Sequence, residues 1–409
     1  MPHRSVAFLG IILAMLAPTT ATPQQSITLG GANGAISKAD RERALGILNG
    51  VSKGIQELYY DPKMNGVDWN AVLSNARAKI AASNSLNEAL TQIAIAVDSL
   101  HDSHTAFEPP ARPYRLDFGF EYQMVWSLCF VTRVRPGSDA ETKGLKPGSQ
   151  ILTINGTAPN RRNLWSIEYL DNVLDPRQEM QLEVQYPSGE KQKIVVKAKV
   201  TTSPDLAYRP GAGVLYDIVR YGENIRHRMR PQIARFGDVG VLKLPWFVFY
   251  ASPSYGTPGI DDEFYDLPGK IRKGKALIVD LRGNPGGSVD ALKYFVGMFF
   301  DHDVKIFDKV ERKKTSPEIA KRGRYFPGKL IVLVDSESAS AAEIFARVIQ
   351  LEKRGTVMGD RTSGSVMEAT GYYFASSGVD CGAEVTVANL GMSDGKSLEH
   401  HGVELLVPA

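Results

Sequence analysis

The residues best placed to do chemistry lie in the segment Asp335-Ser336-Glu337-Ser338-Ala339-Ser340-Ala341-Ala342-Glu343, between an apolar run, Leu330 to Val334, and an amphipathic one, Ala341 to Leu351. A serine at a strand-to-helix corner exposes its hydroxyl beside the free amides of a helix start, where developing negative charge is stabilised. That is the logic of a nucleophile elbow, although G-x-S-x-G is absent. Serine is also an ordinary helix cap, so this segment alone does not separate catalysis from capping. A second segment, Asp280-Leu281-Arg282-Gly283-Asn284-Pro285-Gly286-Gly287, follows the apolar run Ala276 to Asp280. Its glycines allow a backbone to approach a substrate closely, and their amides can serve as oxyanion donors; a tight turn is the plainer alternative. Four of the seven histidines fall in two clusters, His101 with His104 and His400 with His401. With Glu399 they raise zinc as an alternative, which the absence of H-E-x-x-H disfavours.

Three kinds of element must position these residues. Ser37 with Asp40 forms a capping signal ahead of Ala44, Leu48, Val51, Ile55 and Leu58, whose spacing of four and three predicts one buried helix face. Tyr60-Asp61-Pro62 ends that helix, because Pro disfavours helical geometry in the residue before it. Asp68, Trp69, Val72, Leu73, Ala76 and Ile80 predict a second helix. Ser85 and Glu88 cap a third, with Leu86, Leu90, Ile93, Val97 and Leu100 on its buried face. From Leu116 the pattern changes to short strands with turn signals: Phe118-Gly119-Phe120, Phe130 to Val134, and Ile151 to Ile154 running into Asn155-Gly156. After Val200 the chain turns α/β, with buried strands at Val239 to Leu244, Ala276 to Asp280 and Leu330 to Val334, and helical patterns at Val289 to Phe299 and Ala341 to Leu351.

The middle region resembles a PDZ domain of the kind found in exported proteases. The resemblance is carried by Gly119-Phe120 in the carboxylate loop and by Gly144-Leu145-x-Pro147-Gly148-x-x-Ile151-Leu152-x-Ile154-Asn155-Gly156; Ser149 departs from the usual Asp. It implies capture of chain ends by strand addition, with Gly119 and Phe120 as substrate-binding residues. The two chemical segments together resemble the core of the C-terminal processing (tail-specific) and tricorn-type serine peptidases, where D-x-R-x-N-x-G-G precedes S-A-S-A-x-E. The resemblance runs from roughly Asp40 to the C-terminus. The Ser-Lys branch keeps its base about 25 positions after the nucleophile, where this chain has Gly364-Ser365-Val366 and no lysine. Arg361 is near in sequence, but a guanidinium stays protonated. A Ser-Lys dyad would then need Lys353 or Lys396. The tricorn-type branch uses a serine-histidine pair after the N-terminal helices and a glutamate near the C-terminus; Ser103-His104 and Glu399 occupy those places. The resemblance thus implies Ser340 as nucleophile, His104 as base, Ser103 and Glu399 as its orienting partners, and Ala341 with Gly286 or Gly287 as oxyanion donors, without metal or organic cofactor.

The resulting expectation is an α/β multidomain chain: a helical domain at 37–112, a PDZ-like β domain at 113–200 and a crotonase/ClpP-like α/β peptidase core at 201–409. Arg4 ahead of the apolar stretch Val6 to Leu16, then small residues around Thr19-Thr20-Ala21, reads as a secretory signal at 1–21 followed by a linker at 22–36. The apolar stretch is too short to span a bilayer, so the expected mature chain has no stable membrane span and is exported to periplasm or medium. A formal charge of +3 with no long basic run excludes an electrostatic nucleic-acid footprint. The expected partners are protein or peptide substrates, engaged through their C-termini. Cys129 and Cys381 have no zinc or dithiol spacing, and the sequence leaves open whether they pair. The rival reading is a binding or scaffold protein that keeps the fold without turnover.

Overall fold

The computed structural model describes residues 36–112, 114–202, 231–247, 267, 269–272 and 274–405. The signal reading at 1–21 lies outside them. Three helices open the described chain, each with the cap its sequence calls for: α1 (Lys38–Leu58), α2 (Trp69–Ala82) and α3 (Leu86–Asp98). Asp40 N donates to Ser37 Oγ at 3.0 Å, Ala71 N to Asp68 Oδ1 at 3.0 Å, and Glu88 N to Ser85 Oγ at 3.1 Å. The α1 stripe Ala44, Leu48, Val51 and Ile55 is buried, and so are Ile93 and Val97 of α3. They share one core with Phe107 and, from the far end of the sequence, Cys381, Ala383 and Val385. Gly50 and Gly54 make that contact possible, because a Cβ there would fall 2.2 Å from the Phe374 ring and 2.3 Å from the Tyr372 ring.

The middle region contains β1 (Ala106–Glu108), β2 (Tyr114–Asp117), β3 (Phe120–Val125), β4 (Leu128–Val134), α4 (Asp139–Thr142), β5 (Gln150–Ile154), α5 (Leu164–Tyr169), β6 (Glu179–Gln185), β7 (Lys191–Lys197) and β8 (Lys199–Thr202). Strands β3 to β7 form an antiparallel sheet in chain order over a core that includes Val131, Ile151, Leu182, Val184 and Val196. The strand expected at Phe118 starts only at Phe120. Gly119 N donates to Asp117 Oδ1 at 2.9 Å, and a φ of 75° at Gly119 turns the chain.

The remaining elements are β9 (Gln232–Phe236), β10 (Val239–Lys243), β11 (Ala276–Asp280), α6 (Val289–Gly297), β12 (Val304–Glu311), β13 (Thr315–Ala320), β14 (Lys329–Val334), α7 (Ala341–Leu351), β15 (Thr356–Gly359), β16 (Met367–Ser376) and β17 (Val379–Met392). One sheet has the order β15-β14-β11-β10-β9, parallel except for β9. Its apolar strands and the rings of Phe247, Phe295, Phe299 and Phe345 fill the largest core. A second sheet has the order β1-β17-β12-β13, with β16 also on β17. Pairing of β1 with β17 brings the segment after α3 against the C-terminal part of the chain. The thiols Cys129 and Cys381 are free and buried in different cores.

Candidate active site

The loops after β11 and β14 meet where the parallel sheet ends, the usual place for a site in such sheets. Asp335 Oδ1 accepts Gly283 N at 2.9 Å, Ser338 Oγ donates to Leu281 O at 2.8 Å, and Ala339 N donates to Asn284 O at 2.9 Å. Asn284 is fully buried; its Nδ2 donates to Leu244 O at 2.7 Å and its Oδ1 accepts Gly286 N at 2.8 Å. Ser340 then opens α7 with φ 52° and ψ −119°, a conformation that costs a non-glycine residue energy and persists only when its surroundings fix it. Here Ser340 N donates to Ser365 O at 2.9 Å and to Glu343 Oε2 at 3.1 Å.

Gly286 and Gly287 have φ of 107° and 137°, and a Cβ on Gly286 would stand 2.6 Å from Ser340 Cβ. Gly286 therefore walls the nucleophile, Gly287 contributes to the cavity wall beside Phe247, and their amides differ. The Gly286 amide donates to Asn284 Oδ1 at 2.8 Å, so of the two candidate donors Gly287 has the freer amide. Beside Phe247 the flanking groups are used instead, with Phe247 N bonded to Gly286 O and Ser288 N to Phe247 O, both at 2.7 Å. Among the described residues the amides of Gly287 and Ala341 have no acceptor.

The base side is built on the segment between α3 and β1. Asp102 Oδ1 accepts His104 N at 3.0 Å, Thr105 N at 2.7 Å and Thr386 Oγ1 at 2.6 Å, which ties this segment to β17. Glu399 Oε1 accepts Ser103 N at 2.7 Å, while its Oε2 accepts Ser103 Oγ and Val366 N, both at 2.8 Å. Ser103 Oγ also lies 2.8 Å from His104 Nδ1. The Ser103 hydroxyl has one proton, and it donates that proton in its hydrogen bond to Glu399 Oε2; Nδ1 must then be the donor to Ser103 Oγ, leaving Nε2 as the bare nitrogen of a neutral ring. Burial pushes the His104 pKa down, opposed by the charges of Glu399 and Asp102. Neutral imidazole is the form a general base needs.

Ser340 and His104 line the same cavity, of about 1570 Å³, together with Ser103, Gly287 and Ala341. Among the described residues no hydrogen bond joins Ser340 directly to His104. Lys353 and Lys396 are not in the cavity wall; the lysines that are, Lys293 and Lys309, pair with Glu318 at 2.7 Å and Glu368 at 2.6 Å. His400 Nε2 lies 2.8 Å from His101 O and 3.6 Å from Glu399 Oε1, so it stands beside the Glu399 carboxylate. Gly119 and Phe120 do not line the cavity. The β3–β4 hairpin does reach it. Gln123 and Met124 contribute to the wall, Trp126 N donates to Asp360 Oδ2 at 2.7 Å, and Arg161 bonds Asp360 and, at 2.8 Å, Arg361 O. Sequence reasoning places Asn284 and Glu343 in its two motifs without giving either a role, and misses Thr362. All three are buried polar residues, and such residues call for hydrogen-bond partners that only the fold supplies.

Residues 238–405 match peptidase family S41. Among curated proteins the chain is 28% identical over 240 residues to the tail-specific protease of Haemophilus influenzae, covering 56% of this chain and 30% of that protein. It is 27% identical over 278 residues to the carboxy-terminal processing protease CtpA of Bacillus subtilis, covering 67% and 51%. The chain thus spans about a third to a half of the length of these relatives. Among solved structures, mature CPAF aligns with TM-score 0.66 and 16% identity over 90% of this chain and 93% of that one. The photosystem II D1 C-terminal processing protease aligns with TM-score 0.53 and 20% identity over 91% and 94%. The fold is that of these peptidases, and the match to peptidase family S41 lies in residues 238–405.

Proposed function

We propose that this protein is an exported serine endopeptidase that hydrolyses peptide bonds of proteins or peptides through an acyl-enzyme on Ser340. The observation that carries the reading is the hydrogen-bonded line from Glu399 through Ser103 to His104 Nδ1, facing the same cavity as a serine held at φ 52°. His104 Nε2 takes the Ser340 proton as the hydroxyl attacks the scissile carbonyl. The amides of Gly287 and Ala341 receive the oxyanion, and His104 returns the proton to the leaving amine. Water then repeats the sequence on the ester. Ser103 and Glu399 touch no substrate atom; they hold the tautomer and stabilise the imidazolium as it forms.

The PDZ-like region supplies either a dock for substrate C-termini or a gate. The contact of its hairpin with Asp360, and that of Arg161 with Arg361, favour gating, because the same hairpin forms part of the cavity wall. The Gly119 amide is taken by Asp117, which weighs against that amide as a carboxylate donor. Export rests on the apolar stretch Val6 to Leu16. Among the described residues no helix is long and apolar enough to cross a membrane.

A fluorophosphonate probe tests the chemistry directly. Peptide mapping should find the adduct on Ser340 and none in the His104→Ala variant. An unlabelled wild type would favour the binding or scaffold reading of the same fold.

A further inference from the structure

Thr362–Val366 is the stretch where a Ser-Lys enzyme would hold its base, and here it has another use. Glu343, on the first turn of α7, is fully buried. Its Oε1 accepts Thr362 Oγ1 at 2.6 Å and Gly364 N at 2.7 Å; its Oε2 accepts Ser365 N at 2.9 Å and Ser340 N at 3.1 Å. The next amide, Val366 N, goes the other way, to Glu399 Oε2 at 2.8 Å. The loop carbonyls are also used: Ser365 O accepts Ser340 N at 2.9 Å and Gly364 O accepts His400 N at 2.7 Å. Gly364, at φ 78°, permits this crossing, since a Cβ there would stand 3.0 Å from His401 N.

Two carboxylates therefore grip adjacent peptide groups of one loop. One also holds the nucleophile's amide, and the other holds the amide and the hydroxyl of Ser103. Peptide units are planar and stiff, so a shift imposed at Ser365 is passed to Val366. The chemistry of Glu343 argues for more than a helix cap. A cap at this position is served by Gln as well as Glu. Four donors on two oxygens need a group that accepts on both, and a Gln would turn an N–H against two of them. Burying a carboxylate beside no cation is costly, and burial pushes Glu343 up to about 7 against the pull of its four donors.

We propose that Glu343 is a positioning residue that, through Thr362–Val366, keeps Ser340 in register with the Glu399–Ser103–His104 relay. This rests on the serine peptidase reading above.

The test is a double-mutant cycle on the full chain: wild type, Glu343→Gln, Glu399→Gln and the double variant, with kcat and KM on a quenched fluorescent peptide, thermal unfolding, and fluorophosphonate labelling. Glu343→Gln should lower kcat about 10²-fold with KM changed less than about 3-fold, and the double variant should be little worse than the poorer single one. Thr362→Val should lower kcat in the same direction and Thr362→Ser should restore it, a pair that decides the matter if Glu343→Gln does not fold. A wild type that labels and cleaves while the two kcat losses multiply, or a Thr362→Val enzyme as fast as wild type, overturns the coupling alone. A wild type that neither labels nor cleaves overturns the peptidase reading and the coupling with it.

Discussion

Glu399 holds Ser103 twice, at the backbone amide (2.7 Å) and at the hydroxyl (2.8 Å), with one carboxylate oxygen for each. The grip fixes Ser103 in position and in rotamer, so that its hydroxyl proton points at the carboxylate and its lone pair at His104 Nδ1. A carboxylate thereby sets the tautomer of a histidine it does not touch.

Removing that intermediary should reduce catalysis without dismantling the site. Ser103→Ala is expected to lower kcat by roughly 10- to 100-fold and to leave KM nearly unchanged, because no substrate contact is lost. Equal loss in kcat and in substrate affinity would instead place Ser103 in the binding surface. Steady-state kinetics on one peptide distinguishes the two.

The acid limb of kcat/KM follows the free enzyme's base. Since burial lowers the pKa of His104, activity should persist below the ordinary imidazole value of 6.5 and fall only on further acidification. Glu399→Gln removes one of the charges that oppose this, so its limb should move to still lower pH. A limb at the ordinary value in both enzymes would show His104 to be solvated.

Gly286→Ala should be inactive. The added carbon would stand 2.6 Å from Ser340 Cβ and 2.9 Å from Ala339 O, at a φ of 107° that L-residues avoid. The nucleophile must shift, and a displacement of that order costs about 10²-fold or more in kcat. The variant's labelling rate with a fluorophosphonate reads the shift.

Much of this was legible in the sequence, for identifiable reasons. The caps Ser37 and Ser85 declare themselves locally, and the strands of the parallel sheet are short apolar runs. Ser340, His104, Ser103 and Glu399 can be picked out from sequence alone; in the structure the first three line one cavity and Glu399 bonds Ser103. The long hairpin of β16 and β17 was not legible. Glu368, Thr370, Glu384 and Thr386 interrupt its apolar pattern, and its partners lie as far away as Phe107 in the sequence. For the same reason the helices looked self-contained, whereas Cys381, Ala383 and Val385 complete their core. The use of Gly286 N by Asn284 was equally hidden, since a sequence shows that an amide exists but not who accepts from it.

Glu384 makes a stability prediction. Burial, reinforced by the facing charge of Glu108, pushes it up to about 7. A carboxyl raised in the folded state binds its proton more tightly there than in the unfolded chain. Its contribution is therefore full below its ordinary value near 4.5 and is lost as pH rises through about 7. Glu384→Gln should flatten the fall in melting temperature between pH 5 and pH 8, estimated as roughly the window between the unfolded and folded values. An unchanged slope would show that Glu384 is ionised throughout.

The central claim is that Ser340 cuts peptide bonds. The most direct measurement is mass spectrometry of an unfolded protein and of a peptide library with free C-termini, each incubated with the full chain and with its Ser340→Ala variant. Fragments formed by the first and not by the second are the predicted result, and the cut sites would show whether chain ends direct the enzyme. Equal fragments from both, or none from either, would contradict it.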